Sequence, residues 1–353
     1  MEGEKMSQRV LLEMDIQGLK EVVKGYGYPA YRGKQIWDWL YKGTFEITDM
    51  KNLPWQLQER LAMDFVTGIP SIIKKRVSKF DDTIKYLLKY HDGSIVECVR
   101  LVYRFGTTVC VSSQVGCRMG CTFCASAKGG LVRSLSSGEL LAQVLTVQRD
   151  TGKRVSNVVI MGSGEPLDNF DNAVGFIRML GHKEGLNIGQ RHITLSTCGL
   201  VPEIIRLADE GLQITLSVSL HAADDATRAR LMPVAKKYKI EEVLEGCRYY
   251  AQRTGRRVTF EYALVEGRND RPEDAQRLAS LLKGMLCNVN LIPVNPVEGS
   301  GYRQPDRSRV REFKDMLTQR GIAVTVRREM GRDIAGACGQ LKAGYIKEGN
   351  IGN

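Results

Sequence analysis

From Thr107 to Arg327 the chain alternates between short strand-like runs and longer amphipathic ones. The pattern predicts strands over 107–112, 157–161, 192–196, 214–219, 258–264, 288–292 and 322–327. Between them it predicts helices over 137–150, 170–181, 202–210, 240–254, 272–284 and 307–320. Ser136 followed by Glu139 is a capping-box pattern at the start of the first helix. Repeated β-α units imply a parallel sheet covered by helices. Six or seven such units make a complete or partial (β/α) barrel, and chemistry in that architecture gathers at the C-terminal ends of the strands.

The chemically suggestive residues follow this rule. Cys117, Cys121 and Cys124, spaced C-x3-C-x2-C, come after the first strand. Gly162-Ser163-Gly164-Glu165-Pro166 follows the second, Ser196-Thr197-Cys198-Gly199 ends the third, and Ser219-Leu220-His221 ends the fourth. Asn295 comes after the sixth, and Cys338 lies beyond the last. Three thiolates can hold one inorganic centre, yet a closed structural zinc site or a fully ligated four-iron cluster wants four protein ligands. A three-cysteine nest suggests a cluster with one iron left open to a chelating amine and carboxylate, groups that S-adenosylmethionine carries. A zinc knuckle with a distant fourth ligand, or three packing cysteines, remain the alternatives. Gly162 and Gly164 allow close backbone approach to a ligand. Glu165 can receive an amino group, and Ser196, Ser219 and Asn295 offer polar contacts. His221 reads equally as a hydrogen-bonded strand-end residue.

Residues 1–80 read as a small helical accessory module. Leu19, Val22 and Val23 mark one helix, and Ile36, Trp37, Leu40 and Tyr41 a second. Arg32 and Lys34 make the second helix a candidate RNA contact, although Trp37 and Leu40 read as core. Residues 83–90 and 95–103 form a hairpin around Asp92-Gly93, within a linker over 81–104. Glu97, on the second of these strands, reads from its neighbours as a solvent-facing carboxylate. The core then spans 105–343, with a tail over 344–353.

A formal net charge of +11 favours an acidic partner such as nucleic acid. A solvated basic surface is the plain alternative, and no single arm carries the excess. Arg133, Arg327, Arg328 and Arg332 lie near the expected mouth. No run of about 18 apolar residues exists, and the start lacks a signal-peptide core, so no membrane partner and a cytoplasmic location are expected. Nine cysteines in a reducing compartment argue for metal or redox chemistry over structural disulfides. A monomer is expected.

The cysteine spacing, with Phe123 before the third cysteine, resembles the radical S-adenosylmethionine superfamily. The runs Cys110–Cys117, Met161–Asn169, Leu195–Pro202, Ser219–Ala222, Asn290–Pro296 and Ala337–Leu341 resemble the RlmN family, dual-specificity adenine-C2 methyltransferases of 23S rRNA and tRNA. The likeness runs from about residue 10 to 343. Ser163 stands where many members carry methionine. The sister Cfr family, which methylates C8, shares the cluster and redox cysteines and gives a second reading. A non-catalytic, zinc-stabilised RNA-binding protein gives a third.

The resemblance implies an α/β partial-barrel radical SAM core. It implies a [4Fe-4S] cluster on Cys117, Cys121 and Cys124, and S-adenosylmethionine held by Gly164, Glu165, Ser196, Ser219, Leu220, His221 and Asn295. It also implies an electron donor such as flavodoxin. Adenine C2 is electron-poor and cannot attack a sulfonium, so a radical route is needed. Two molecules of S-adenosylmethionine are then used per turnover. Cys338 becomes S-methylated and later linked to RNA, Glu97 accepts the C2 proton, and Cys110 releases the product, leaving a transient Cys110–Cys338 disulfide. Taken singly, each of these thiols reads as a packing residue. Cys98, Cys198, Cys247 and Cys287 match no family role and are expected to pack.

Overall fold

The computed structural model describes residues 8–294, 301–328 and 330–334. Asn295 and Cys338 fall outside them, as does the tail.

The N-terminal module holds α1 (Ile16–Gly25), α2 (Tyr31–Tyr41) and α3 (Trp55–Asp64). Short strands β1 (Arg9–Val10) and β2 (Phe65–Val66) pair across its two ends. Asp15 caps α1 by accepting from the Gly18 amide at 2.7 Å. Leu19, Ile36, Trp37 and Leu40 are buried, and they belong to one apolar cluster that continues into the rest of the molecule. The Trp37 indole donates across to the Glu184 carbonyl at 2.9 Å. Trp37 and Leu40 are thus core residues, as their spacing predicts.

Three antiparallel strands follow: β3 (Ser71–Val77), β4 (Ile84–Lys89) and β5 (Ile95–Tyr103). The β4–β5 hairpin is the predicted one. Lys74, Lys75 and Arg76 lie on β3, a strand within the stretch expected to be helical. β3 is a sheet edge, and charged side chains there discourage pairing with another chain.

β6 (Gly106–Val111) opens the barrel portion. It continues through β9 (Asn157–Ile160), β10 (Ile193–Thr197), β11 (Thr215–Ser219), β12 (Val258–Leu264), β13 (Cys287–Pro293) and β14 (Val324–Val326). These seven strands pair in parallel. β3, β4 and β5 extend the same sheet from β6, giving ten strands in the order β14-β13-β12-β11-β10-β9-β6-β5-β4-β3. A small hairpin, β7 (Gln114–Gly116) with β8 (Leu131–Ser134), interrupts the alternation. Helices α4 (Ser137–Thr151), α5 (Phe170–Leu180), α6 (Val201–Asp209), α8 (Ile240–Thr254), α9 (Pro272–Leu282) and α10 (Arg307–Gln319) match the predicted six. The Ser136–Glu139 capping box forms at α4. A short α7 (Asp225–Leu231) was not anticipated.

Period-two alternation sorts the strand residues. Leu195, Leu216, Phe260 and Leu291 join the apolar cluster with the helices. Their neighbours Ser196, Ser217, Glu261 and Asn290 point to the opposite, inner face. The barrel interior is therefore polar, which suits a cavity for a polar ligand.

Candidate active site

The cysteine loop hangs between β7 and β8. Its start is fixed by the Cys117 amide, which donates to the Gly130 carbonyl at 2.8 Å. A Cβ on Gly116, whose φ is +82°, would lie 2.0 Å from that same carbonyl oxygen, so only glycine closes this turn. Further along, the Thr122 amide donates to Leu231 O at 3.0 Å and ties the loop to α7. Met119, Cys121 and Phe123 pack on Cys198, Leu231 and Met232, giving the loop an apolar floor.

The three thiols lie within electrostatic reach of one another. Burial pushes Cys117 up to about 11, with the Glu165 and Cys124 charges adding to it. Burial, then Cys124 and Cys117, push Cys121 well above the usual thiol range. Such thiols give up their protons only to a cation that replaces them. Among the described residues no three His, Cys, Asp or Glu side chains converge on one metal ion. A loop that brings three thiols near one another over an apolar floor has the donor set of an iron–sulfur cluster with three protein ligands.

Glu165 is buried beside this loop. Its carboxylate accepts from the Cys198 amide at 2.7 Å and from the Leu167 amide at 3.0 Å. Burial raises it above the ordinary carboxylate range even against these donors. Each oxygen keeps lone-pair capacity for an amino group. Cys198, read as a packing residue, thus serves the site through its backbone. Its thiol, raised by burial and then by Glu165, lies near Cys121 and Cys117.

Gly162 and Gly164 have a structural task beyond the expected ligand approach. A Cβ at Gly164 (φ +108°) would sit 2.6 Å from Gln114 Cβ and from Ser113 Oγ, and one at Gly162 would sit 2.7 Å from Ser112 Oγ. The loop must press against the end of β6. Ser163 meets this strand end through its backbone: its carbonyl accepts from the Ser113 amide and its amide donates to Ser112 Oγ. Asn169, from the same run, donates to the Ser113 and Leu135 carbonyls.

His221 ends the stretch after β11 with φ +57°, unusual for a residue with a Cβ. Its Nδ1 accepts from the Ala263 amide at 2.9 Å, so Nε2 carries the proton. Burial pushes it down to about 3, and it is neutral at physiological pH. Phe123 from the cysteine loop meets its ring edge-on, with centroids 4.9 Å apart. Ser196 and Ser219 are partly exposed on the inner face.

Arg228 of α7 was not singled out from the sequence. It is fully buried and donates to the carbonyls of Cys198, Ser219, Leu220 and Tyr238. One guanidinium thereby fixes the ends of β10 and β11.

Glu97 is not solvent-facing. It is 6% exposed, on the inner face of β5, with Lys85 Nζ 3.1 Å away. Cys110 shares that face, since Val99 pairs with Cys110 across β5 and β6. Cys98 and Cys247 are core residues, as expected, and the described cysteines are all free thiols. Arg133 is 30% exposed and pairs with Glu139 and Asp92. Arg327 and Arg328 are exposed. Among the described residues no helix is long and apolar enough to cross a membrane. Lys85 and Glu261 were missed, although the alternation of β4 and β12 places each on the inner face.

An α/β partial barrel with a three-thiol loop after its first parallel strand defines the radical SAM class of proteins. The radical SAM superfamily model matches residues 111–279, and the model for the ribosomal RNA large subunit methyltransferase N-terminal domain matches residues 10–66. A protein of Clostridium acetobutylicum called "Probable dual-specificity RNA methyltransferase RlmN" is 53% identical over 338 residues, 96% of this chain and 98% of its own. One of the same name from Clostridium tetani is 53% identical over 337 residues, 96% of this chain and 97% of its own. The crystal structure of a radical SAM methyltransferase from Sphaerobacter thermophilus superposes with a TM-score of 0.90 at 42% identity, over 94% of this chain and 98% of that one. The chain belongs to the RlmN family of radical SAM RNA methyltransferases. The class implies a [4Fe-4S] cluster and S-adenosylmethionine.

Proposed function

We propose that this chain methylates C2 of an adenosine in the peptidyl-transferase region of 23S rRNA, and C2 of the adenosine next to the anticodon in tRNA. The observation that carries the reading is the inner face shared by Glu97 and Cys110, where a buried carboxylate and a thiol stand together. A simple methyl transfer to a nucleophilic atom needs neither group.

Cys117, Cys121 and Cys124 would hold the cluster. When bound, the cluster supplies the electron that splits S-adenosylmethionine and activates the methyl group carried by the protein. Glu165 receives the amino group of the ligand. Gly164, Ser196, Ser219, Leu220, His221 and Asn295 orient the remainder. The neutral ring of His221 offers a hydrogen bond without a charge that would repel the sulfonium. Cys338, as thiolate, takes a methyl group by displacement from a first S-adenosylmethionine, and a second is consumed in activating it. Glu97 accepts the C2 proton from the RNA joined to Cys338. Cys110 then attacks the Cys338 sulfur, which frees the RNA and joins the two cysteines. An external thiol reductant resets the disulfide, and an electron donor such as flavodoxin feeds the cluster. Adenine must leave its stack to enter the inner face, and the exposed Arg327 and Arg328 are placed to hold phosphate. The enzyme acts as a cytoplasmic monomer.

Mass spectrometry of rRNA and tRNA nucleosides from cells with and without this protein tests the reading. Loss of 2-methyladenosine from both RNAs on deletion is expected. Loss of 8-methyladenosine, or no change, overturns it.

A further inference from the structure

The carboxylate beside Cys110 comes with a cation of its own. Lys85, the second residue of β4, has no exposed surface, and its Nζ lies 3.1 Å from Glu97 Oε2. Leu87 and Ile95, both buried, flank the pair with apolar side chains. On the other side, Ser112 Oγ donates to the Glu97 carbonyl at 2.7 Å and fixes the backbone there. An ammonium is costly to remove from water, and a structural role alone is served as well by an apolar residue of the same size.

We propose that Lys85 is a positioning residue that keeps the Glu97 carboxylate charged and aimed while it accepts the C2 proton from the protein–RNA adduct. This rests on Glu97 being that acceptor. In the step itself, the C2–H bond breaks, its electron pair stays with the adenine ring, and the proton ends on a Glu97 oxygen. The Lys85 ammonium keeps its protons throughout. Without it, the buried carboxylate loses the positive charge that faces it at 3.1 Å, burial then favours the neutral form, and a neutral carboxyl accepts no proton. Among the described residues, Cys110 on β6 and Tyr103 further along β5 share this face, and β3 brings Arg76 opposite Lys85 and Lys74 opposite Leu87. Arg327, Arg328 and Asp81 act on Tyr103.

The test uses reconstituted holoenzyme variants and a transcript of the peptidyl-transferase hairpin of 23S rRNA in single turnover from pH 6.5 to 9. Adduct is read on denaturing gels, and released methylated RNA by mass spectrometry. Iron content confirms reconstitution. Lys85→Met is expected to form adduct at the normal rate but release product about tenfold slower at pH 7, with release recovering as pH rises. Lys85→Arg, which keeps the charge, recovers most of it. Normal release by Lys85→Met, or slow release that is the same at every pH, overturns the proposal. Glu97→Gln is expected to accumulate adduct at every pH; if it does not, the reading of Glu97 fails, whatever Lys85 does. Should Lys85→Met reconstitute poorly, the double variant Lys85→Met/Glu97→Gln decides. It should release no more slowly than Glu97→Gln alone, and additive slowing overturns the proposal.

Discussion

The antiparallel and parallel halves of the main sheet each bury a carboxylate on the inner face, and their surroundings differ. In the antiparallel half Glu97 faces the Lys85 ammonium at 3.1 Å. In the parallel half Glu261 accepts from Ser217 Oγ at 2.7 Å and from Asn290 Nδ2 at 2.9 Å, both neutral donors. Burial is the leading influence on Glu261 and raises it, while those donors and the more distant Arg327 only temper the rise. On the proposed role of Glu97, a formal counter-charge stands where a proton has to be taken. Neutral donors suffice where polarity and shape are wanted, as along the row that continues through Asn290 to Thr325. Strand direction adds to the contrast. β5 runs against β6, so an early residue of β5 lies beside the catalytic end of β6.

Cys338→Ala gives the largest expected effect. If the antiparallel half only serves a carbon carried on Cys338, that variant methylates no RNA above background and forms no adduct, while iron content stays normal. Methylated nucleoside at the ordinary rate would leave Glu97 and Cys110 without a task. Cys110→Ala comes next. It is expected to form adduct normally and to release product at least about a hundredfold more slowly, since it lacks the thiolate proposed to attack. Free methylated RNA at the normal rate would remove Cys110 from the chemistry.

In the parallel half the greatest sensitivity is steric. Gly164→Ala places a Cβ 2.6 Å from Gln114 Cβ at a backbone φ of +108°. A loss of about 2–4 kcal/mol of stability is expected from the combined clash and strain, with weaker S-adenosylmethionine binding by calorimetry. A variant that melts with wild-type behaviour would mean that the loop does not press on β6.

The same contrast governs what could be read from the chain before its fold was known. The parallel half was legible almost element by element. Buried parallel strands and the helices over them carry strong periodic patterns, and the cysteine loop, the Gly-Ser-Gly-Glu run and the Ser-Leu-His run all fall at strand ends. In the antiparallel half the hairpin was legible and its inner face was not. Val96, Glu97 and Cys98 look like a strand with one solvated side, because local sequence cannot say that β5 adjoins β6 and a barrel interior. Family resemblance supplied the role of Glu97. The structure supplies its burial and Lys85, both of which depend on pairings between distant strands. Arg228 escaped for a related reason. Its partners are backbone carbonyls, which leave no mark in the sequence.

Glu261→Gln carries the smallest effect and tests the contrast most directly. Because the folded carboxyl holds its proton to higher pH than the unfolded one, the folded chain binds the extra proton between those two points. Stability therefore falls as pH rises through that interval, and above it the full cost of a buried charge is present. Glutamine removes the charge and keeps the contacts: its oxygen accepts from Asn290, and its amide donates to the Ser217 hydroxyl, which can turn to accept. The variant should melt higher than the parent at pH 8, by about 1–2 °C for a gain of ~1 kcal/mol. The difference should vanish near pH 4, where both forms of the parent carboxyl are protonated. A gain of equal size at both pH values would come from packing, not charge. A loss at pH 8 would show Glu261 to be stabilised as an anion, and the contrast with Glu97 would then collapse.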